Sequence, residues 1–359
     1  MNGEVCAQIN LSALHHNFLT VRSLAPHSKI LAMVKADAYG HGLIRIAKAL
    51  SEADGFGVAA IEEAISLREA GISQPIFIMS RFDHSDQVAL CLKHQLTVVI
   101  HQPYQIEILE RAHLSAAITV WLKLETGMHR LGLLPDQLID AWQRLQRIDW
   151  IQKPIGLMTH LACADTPKHL LNTEQIQLFE KLTKEFPGPK SVANSAAIFS
   201  NCGSLYDWVR PGIMLYGASP LLNQTAEQLG LKPVMTLTSH LNAVRFAKKG
   251  DWVGYGATQQ CPEDMLLGVV AAGYGDGYPR HARSGTPVLI QGQRCPLMGR
   301  VSMDMITVDL GHAPNAKVGD PVVLWGEGLP AEQIATYADT IAYELFCHVT
   351  RRVKFNTYE

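Results

Sequence analysis

Between residues 29 and 217 the chain alternates short apolar runs with amphipathic stretches. The apolar runs fall at 30–34, 56–60, 76–79, 96–100, 118–124, 155–159, 192–193 and 208–209. The last two rest on the rhythm of the pattern more than on their own composition. Continuous runs of this length mark strands buried on both faces, whereas a strand with one wet face would alternate. The segments between them, such as 61–70, 83–93, 135–147 and 173–185, repeat apolar positions at helical spacing. Eight β/α repeats in roughly 200 residues fit a closed (β/α)8 barrel better than an open doubly wound sheet. No G-x-G-x-x-G follows an early strand, which counts further against the open sheet.

The rhythm changes after a connecting segment at 218–232. Stretches rich in strand formers, punctuated by glycine turns, follow at 235–246, 252–258, 266–272, 287–291, 305–310 and 322–325. One clear helical stretch stands among them, at 331–349. The expected architecture is α/β plus β: a barrel over 11–230 and a mostly β domain over 231–359. The N-terminal piece at 4–10 reads as a strand that either part can accept, and it is assigned with residues 1–10 to the second.

Composition narrows the function classes. Hydrophobic residues make up 47% and charged residues 18%, as in ordinary globular proteins. The net charge of -2 offers no basic surface for nucleic acid or an anionic membrane. No apolar run approaches the roughly 20 residues of a membrane span, and Glu4 stands where a signal peptide would be basic. The seven cysteines are scattered and odd in number, which suits reduced, mostly buried thiols in a cytoplasmic protein. None of the fifteen histidines has the spacing of a metal motif, so no metal is expected.

Active-site residues of a barrel gather at the C-terminal ends of its strands. That rule selects Lys35 after the first strand, His160 after the sixth, Asn194 and Ser195 after the seventh, and Arg210 after the eighth. Arg130 falls in the loop after the fifth. A lysine, a histidine and two arginines at one mouth suit an anionic, electron-withdrawing cofactor. A lysine desolvated among cations loses its proton and becomes a nucleophilic amine.

The segment VKADAYGHG at 34–42 resembles the cofactor-lysine signature of alanine racemases. Further segments resemble that family's blocks: TGMHRLG at 126–132, TH at 159–160, ANSA at 193–196, VRPGI at 209–213, GYGAT at 254–258, GYGDG at 273–277 and GRVSMD at 299–304. They stand in the family's order and cover nearly the whole chain. The resemblance implies pyridoxal 5'-phosphate joined to Lys35 as a Schiff base, and interconversion of L- and D-alanine. Inversion at the α-carbon takes a proton from one face and returns one to the other, so two acid/bases must flank it. The resemblance names Lys35 for one face and Tyr255 for the other, with His160, hydrogen-bonded towards Arg210, lending Tyr255 positive potential. Arg210 is implied at the ring nitrogen, and Arg130 at the phenolic oxygen and the substrate carboxylate. Lys123 corresponds to a lysine that many relatives carbamylate. Tyr39, Asn194, Ser195, Gly212 and Ile213 complete the implied cofactor site, most of them around the phosphate. Tyr274, Met303 and Asp304 are implied at the substrate, supplied with Tyr255 by the second subunit of a homodimer. Arg280 is a candidate for the substrate entrance. The chain departs from the family at Glu125, where aspartate is commoner, at His129, where glycine is common, and at Arg351, where many relatives carry a phosphate-binding tyrosine.

Other readings predict other features. A pyridoxal-phosphate decarboxylase would place a carboxylate at the ring nitrogen, where Arg210 stands. A non-catalytic cofactor-binding protein would lack the second domain and Tyr255. A cofactor-free Schiff-base aldolase would be colourless. A broad-specificity or serine-preferring racemase would differ in the width of its entrance, near Tyr274 and 303–304.

Overall fold

Strand β1 (Cys6–Asn10) opens the computed structural model, which describes residues 5–112 and 114–359; Glu4, the first residue of the expected N-terminal strand, lies outside them. Eight parallel strands then close into a barrel: β2 (Lys29–Met33), β3 (Gly55–Ala60), β4 (Ile76–Arg81), β5 (Leu96–Ile100), β6 (Ile118–Lys123), β7 (Ile151–Met158), β8 (Lys190–Asn194) and β9 (Trp208–Arg210). Each strand pairs with the next, and the ring closes where Lys29 and Ile30 of β2 meet Trp208 and Val209 of β9. All eight expected apolar runs are strands, including the two short ones. The barrel interior is packed: Phe77, Trp121 and Trp208 meet with ring centroids 5.5 to 6.3 Å apart. Trp121 lies over Gly156, where a Cβ would sit 2.1 Å from the indole. This aromatic floor leaves the ends of the strands, not a channel, as the place for chemistry.

The second domain is built on β10 (Met235–Ala247), which is long enough to serve two partners on one side in succession. With β11 (Trp252–Val253), β12 (Gln259–Gln260), β13 (Met265–Val270), β14 (Pro287–Ile290), β15 (Gln293–Pro296), β16 (Ile306–Asp309), β17 (Pro321–Trp325) and β18 (Lys354–Tyr358) it completes the strand set. The main sheet runs β15-β14-β17-β10-β1-β18, and β13 and β16 extend it from β10. The N-terminal strand therefore joins this sheet, antiparallel to β10 and parallel to β18.

The structure corrects the sequence reading at several points. The helical stretch expected at 331–349 is two helices, Ala331–Tyr337 and Ala342–His348, separated by a turn in which Asp339 takes a φ of 51°. Only Trp252 and Val253 of the expected strand at 252–258 are extended; Tyr255 rides the turn between β11 and β12. β15 and β18 were not anticipated. Of the cysteines, Cys91, Cys261 and Cys295 are buried, Cys6, Cys163 and Cys202 half-buried and Cys347 exposed, so burial is less general than expected.

Candidate active site

Lys35 follows β2 by one residue and opens an unusual turn. Ala36, Asp37, Ala38 and Tyr39 all have φ between 52° and 54°, a left-handed helical turn of four non-glycine residues that Gly40 ends at a φ of 74°. Such a conformation costs an L-residue roughly 1–2 kcal/mol, so the surroundings must hold it. The Glu63 carboxylate accepts from Ala36 N at 2.7 Å and from Ala59 N at 2.9 Å. Asp37 Oδ1 accepts from Leu43 N at 2.6 Å, and Ala38 N donates to Val34 O at 2.8 Å. Tyr39 stacks on Tyr216 at 4.7 Å and meets Tyr343 at 5.9 Å, while His41 packs edge-on to Phe346. The helix Ala342–His348 of the second domain thus lies directly on this turn.

Around Lys35 the charges are mostly of one sign. Burial lowers its pKa first, Arg130 adds to the effect, and Arg210 adds less; Glu63 and Cys347 oppose them. Its amine makes no hydrogen bond or ion pair among the described residues. Lys123, the last residue of β6, is pulled down to about 7, chiefly by burial and then by Arg210, Arg130 and Lys35. Arg210 is buried, which draws it to about 10 and leaves it protonated at neutral pH. Its Nη1 donates to Ser191 Oγ at 2.6 Å, and its Nη2 to Thr159 O at 2.6 Å and Val192 O at 3.1 Å. Nη2 also lies 3.2 Å from His160 Nδ1. Since the guanidinium only donates, His160 accepts at Nδ1 and keeps its proton on Nε2. Burial, then Arg210, holds His160 far below its ordinary pKa, so the ring is neutral.

Glu125 builds the loop that carries Arg130. Its carboxylate accepts from Gly127 N at 2.5 Å and Met128 N at 2.7 Å. Burial raises its pKa, but the N–H groups of residues 127–130 together outweigh that and hold it low. His129 takes a φ of 53°, in the left-handed region that favours glycine, and Arg130 stays exposed. Glu125 and His129, the two positions at which the sequence was expected to depart from the family it resembles, thus lie in one turn.

Ser195 Oγ accepts from Gly212 N at 2.7 Å, and a Cβ on Gly212 would lie 2.4 Å from the Tyr39 hydroxyl. Ile213 is fully buried beside them. Asn194 Oδ1 accepts from Ala197 N and caps the helix Ser195–Ser200. The Tyr39 hydroxyl and Arg210 Nε make no hydrogen bond among the described residues, although both side chains are buried. Arg351 lies exposed in the turn before β18 and meets none of these groups.

A second cluster forms on the β domain. Tyr255 is 69%, Tyr274 40% and Met303 53% exposed. Three turns bring them together: Tyr274 N donates to Ser302 O, Gly275 N donates to Met303 O, and Gly254 and Gly256 pack on Arg300. Asp304 is held by Arg352 Nη2 at 2.8 Å, and Arg352 also pairs with buried Asp276 at 3.3 Å. Among the described residues no hydrogen bond, ion pair or ring contact joins Tyr255 to Lys35, Arg130, His160 or Arg210. The chain folds its expected site residues into two groups.

Comparison with known proteins identifies the family. The model "Alanine racemase, N-terminal domain" matches residues 9–220, and "Alanine racemase, C-terminal domain" matches residues 234–357. The chain belongs to the alanine racemase family. It is 51% identical over 354 residues to an alanine racemase of Coxiella burnetii, covering 97% of both chains. It is 51% identical over 348 residues to an alanine racemase of Nitrosococcus oceani, again covering 97% of both. The crystal structure of the biosynthetic alanine racemase of Pseudomonas aeruginosa superposes with a TM-score of 0.96 at 42% identity, over 99% of each chain.

Within this alanine racemase fold, three polar residues bear on the site that the sequence did not disclose. Glu63 holds the Lys35 turn; a glutamate in a first helical turn reads as a helix cap. His101 directly follows β5, faces Lys123 electrostatically, and donates Nε2–H to Ser80 O at 3.0 Å, leaving Nδ1 buried with no hydrogen-bond partner among the described residues. The strand-end rule, applied to β5, would have found it. Gln175 is fully buried against the Arg130 loop, and nothing in its surroundings in sequence signals that.

Proposed function

We propose that this chain interconverts L- and D-alanine with pyridoxal 5'-phosphate held at Lys35, as a homodimer whose sites each draw Tyr255, Tyr274, Met303 and Asp304 from a second copy. The observation that carries the reading is the pairing at the barrel mouth of Lys35, without a hydrogen bond among the described residues and with its pKa lowered by burial, with a buried arginine at the end of β9, where a decarboxylase would need a carboxylate. The residues present fit the cofactor. Tyr39 and Ser195 bring two hydroxyls against the backbone of Gly212, where a side chain would not fit, a polar set suited to a phosphate. Arg210 keeps its Nε–H free for a ring nitrogen, and Arg130 is free for the phenolic oxygen and the substrate carboxylate.

When bound, pyridoxal 5'-phosphate would withdraw electrons from the substrate's α-carbon and acidify its proton. Lys35, whose pKa burial and then Arg130 lower, would take or return that proton at its Nζ on one face. Tyr255 of the second copy serves the other face. A phenol near its reference pKa of ~10 is a weak base at neutral pH. His160 helps it: fixed by Arg210 with its proton on Nε2, the ring donates towards the phenol oxygen and favours the phenolate. Lys123 is the remaining amine. An amine near 7 is largely neutral at slightly alkaline pH, the form that adds carbon dioxide and releases a proton to give a carbamate. That anion would steady Arg130 in a mouth otherwise short of negative charge.

The test is a chiral assay on L-alanine with added cofactor, with L-serine run alongside. D-alanine should accumulate, the protein should be yellow, and borohydride should bleach the colour and fix the cofactor to Lys35. Lys35→Ala should lose both colour and turnover. A colourless wild-type protein that forms no D-alanine would overturn the reading.

A further inference from the structure

Gln175 sits on the outer helix Leu170–Thr183, where a glutamine is expected to face water, yet its side chain is fully buried. Its carboxamide oxygen accepts from Ala162 N at 2.9 Å. Its amide nitrogen donates to His160 O at 3.0 Å and to Thr126 Oγ1 at 3.2 Å. The chain of bonds continues with a fixed direction. Thr159 Oγ1 spends its hydrogen on Leu124 O at 2.9 Å, so Thr126 Oγ1 must donate to Thr159 Oγ1 across 2.8 Å. Thr126 therefore has only lone pairs left for Gln175, which fixes the amide's orientation. Thr159 also gives its carbonyl to Arg210 Nη2. One side chain thus touches both the 124–132 loop, which presents Arg130, and the 159–162 segment, which presents His160, and through Thr159 both are registered to Arg210.

We propose that Gln175 is a positioning residue that clamps the Arg130 loop and the His160 segment in a common register, so that the carboxylate-binding arginine and the ring behind the second base are set together. The substrate-facing part of this inference rests on the functional reading above. Apolar packing would hold the two loops near each other but would not fix their register, because it is not directional. Buried hydrogen-bond networks with every member satisfied are rigid, and each member lost leaves its partners unpaired.

Gln175→Met keeps the side chain's length and removes its polar atoms. In the cofactor-free variant, amide deuterium uptake should rise about ten-fold at 125–132 and 160–163 only, as expected for local opening. With cofactor, KM for both alanine enantiomers should rise about ten-fold while kcat changes less than about three-fold, since small displacements of a binding group weaken substrate positioning. Gln175→Glu is the conservative partner. Ionised, it cannot donate to His160 O; protonated, it regains one donor, and burial raises its pKa. Its KM defect should therefore shrink as pH falls from about 9 to about 6, and that of Gln175→Met should not. If Gln175→Met does not fold, the pH profile of Gln175→Glu decides. Uptake that rises evenly over the barrel, or a pH-independent KM defect in Gln175→Glu, would overturn the clamp. If the wild type itself makes no D-alanine, the functional reading fails separately, and the deuterium pattern still judges the clamp.

Discussion

Lys123 has an ordinary pKa of 10.5 and is drawn to about 7 by folding, so it sets a pH dependence whose sign can be worked out. Between those values the unfolded chain binds a proton that the folded chain does not, and stability rises with pH across that window. Below about 7 the protonated amine is buried among Arg210, Arg130 and Lys35, and the whole cost is present. Lys35, also lowered, acts in the same sense. His160 adds the same slope on the acid side, below its ordinary 6.5. In cofactor-free protein and carbon-dioxide-free buffer, the urea midpoint should climb from pH 7 to pH 9. Lys123→Met should flatten most of that climb and raise the midpoint at pH 7. A variant that keeps the full slope would mean that the burden lies elsewhere. The burial and cationic crowding that make this mouth less stable at low pH are also what lower the pKa of Lys35 and Lys123.

The left-handed turn after β2 shows how one element is imposed on another. Gly40 ends it, and a Cβ there would meet Phe346 O at 2.0 Å, within backbone of the helix Ala342–His348. Gly40→Ala must push that helix away or break the turn. It should cost about 2–3 kcal/mol in a denaturant titration, in the range of overpacked sites. The visible band of the Lys35-bound cofactor should weaken with it; unchanged stability and colour would mean that the two elements do not support each other. Nothing in Ala36, Asp37, Ala38 or Tyr39 announces a left-handed turn, because its cause is long-range: the Glu63 carboxylate and the second-domain helix. The barrel strands were legible for the opposite reason, since burial on both faces writes itself into a continuous apolar run. The helical pattern at 331–349 ran on through Asp339, whose positive φ no periodicity can show. β18 was missed because Lys354–Tyr358 is a half-exposed edge without an apolar run. Among the site residues, Lys35, Arg210, His160 and Arg130 could be read from strand ends and motifs. Glu63 and Gln175 could not, because a polar residue on a helix looks like surface until its partner in space is known.

At the scale of the molecule, the two clusters of site residues pose a geometric problem. The segment from Tyr343 to Arg352 links them structurally: Tyr343 and Phe346 pack on the Lys35 turn, while Thr350 and Arg352 hold the Tyr274–Asp276 turn and Asp304. Yet Tyr255 is exposed and makes no hydrogen bond, ion pair or ring contact among the described residues. A cluster of exposed aromatic and methionine side chains, with Trp252 and Met305 beside those already named, suits an interface better than water. If a second copy brings Tyr255 to Lys35, each dimer has two sites and each site uses both chains. Lys35→Ala and Tyr255→Phe are then each inactive alone, but a mixed dimer has one site that joins the intact lysine of one chain to the intact tyrosine of the other. Random reassortment of equal amounts makes half the dimers mixed, so activity should return to about a quarter of wild type. If Tyr255 instead served Lys35 of its own chain, every chain in the mixture would carry a lesion and no site would be whole. Native mass spectrometry shows whether subunits have exchanged, so a mixture that has reassorted and still makes no D-alanine would separate the two clusters for good.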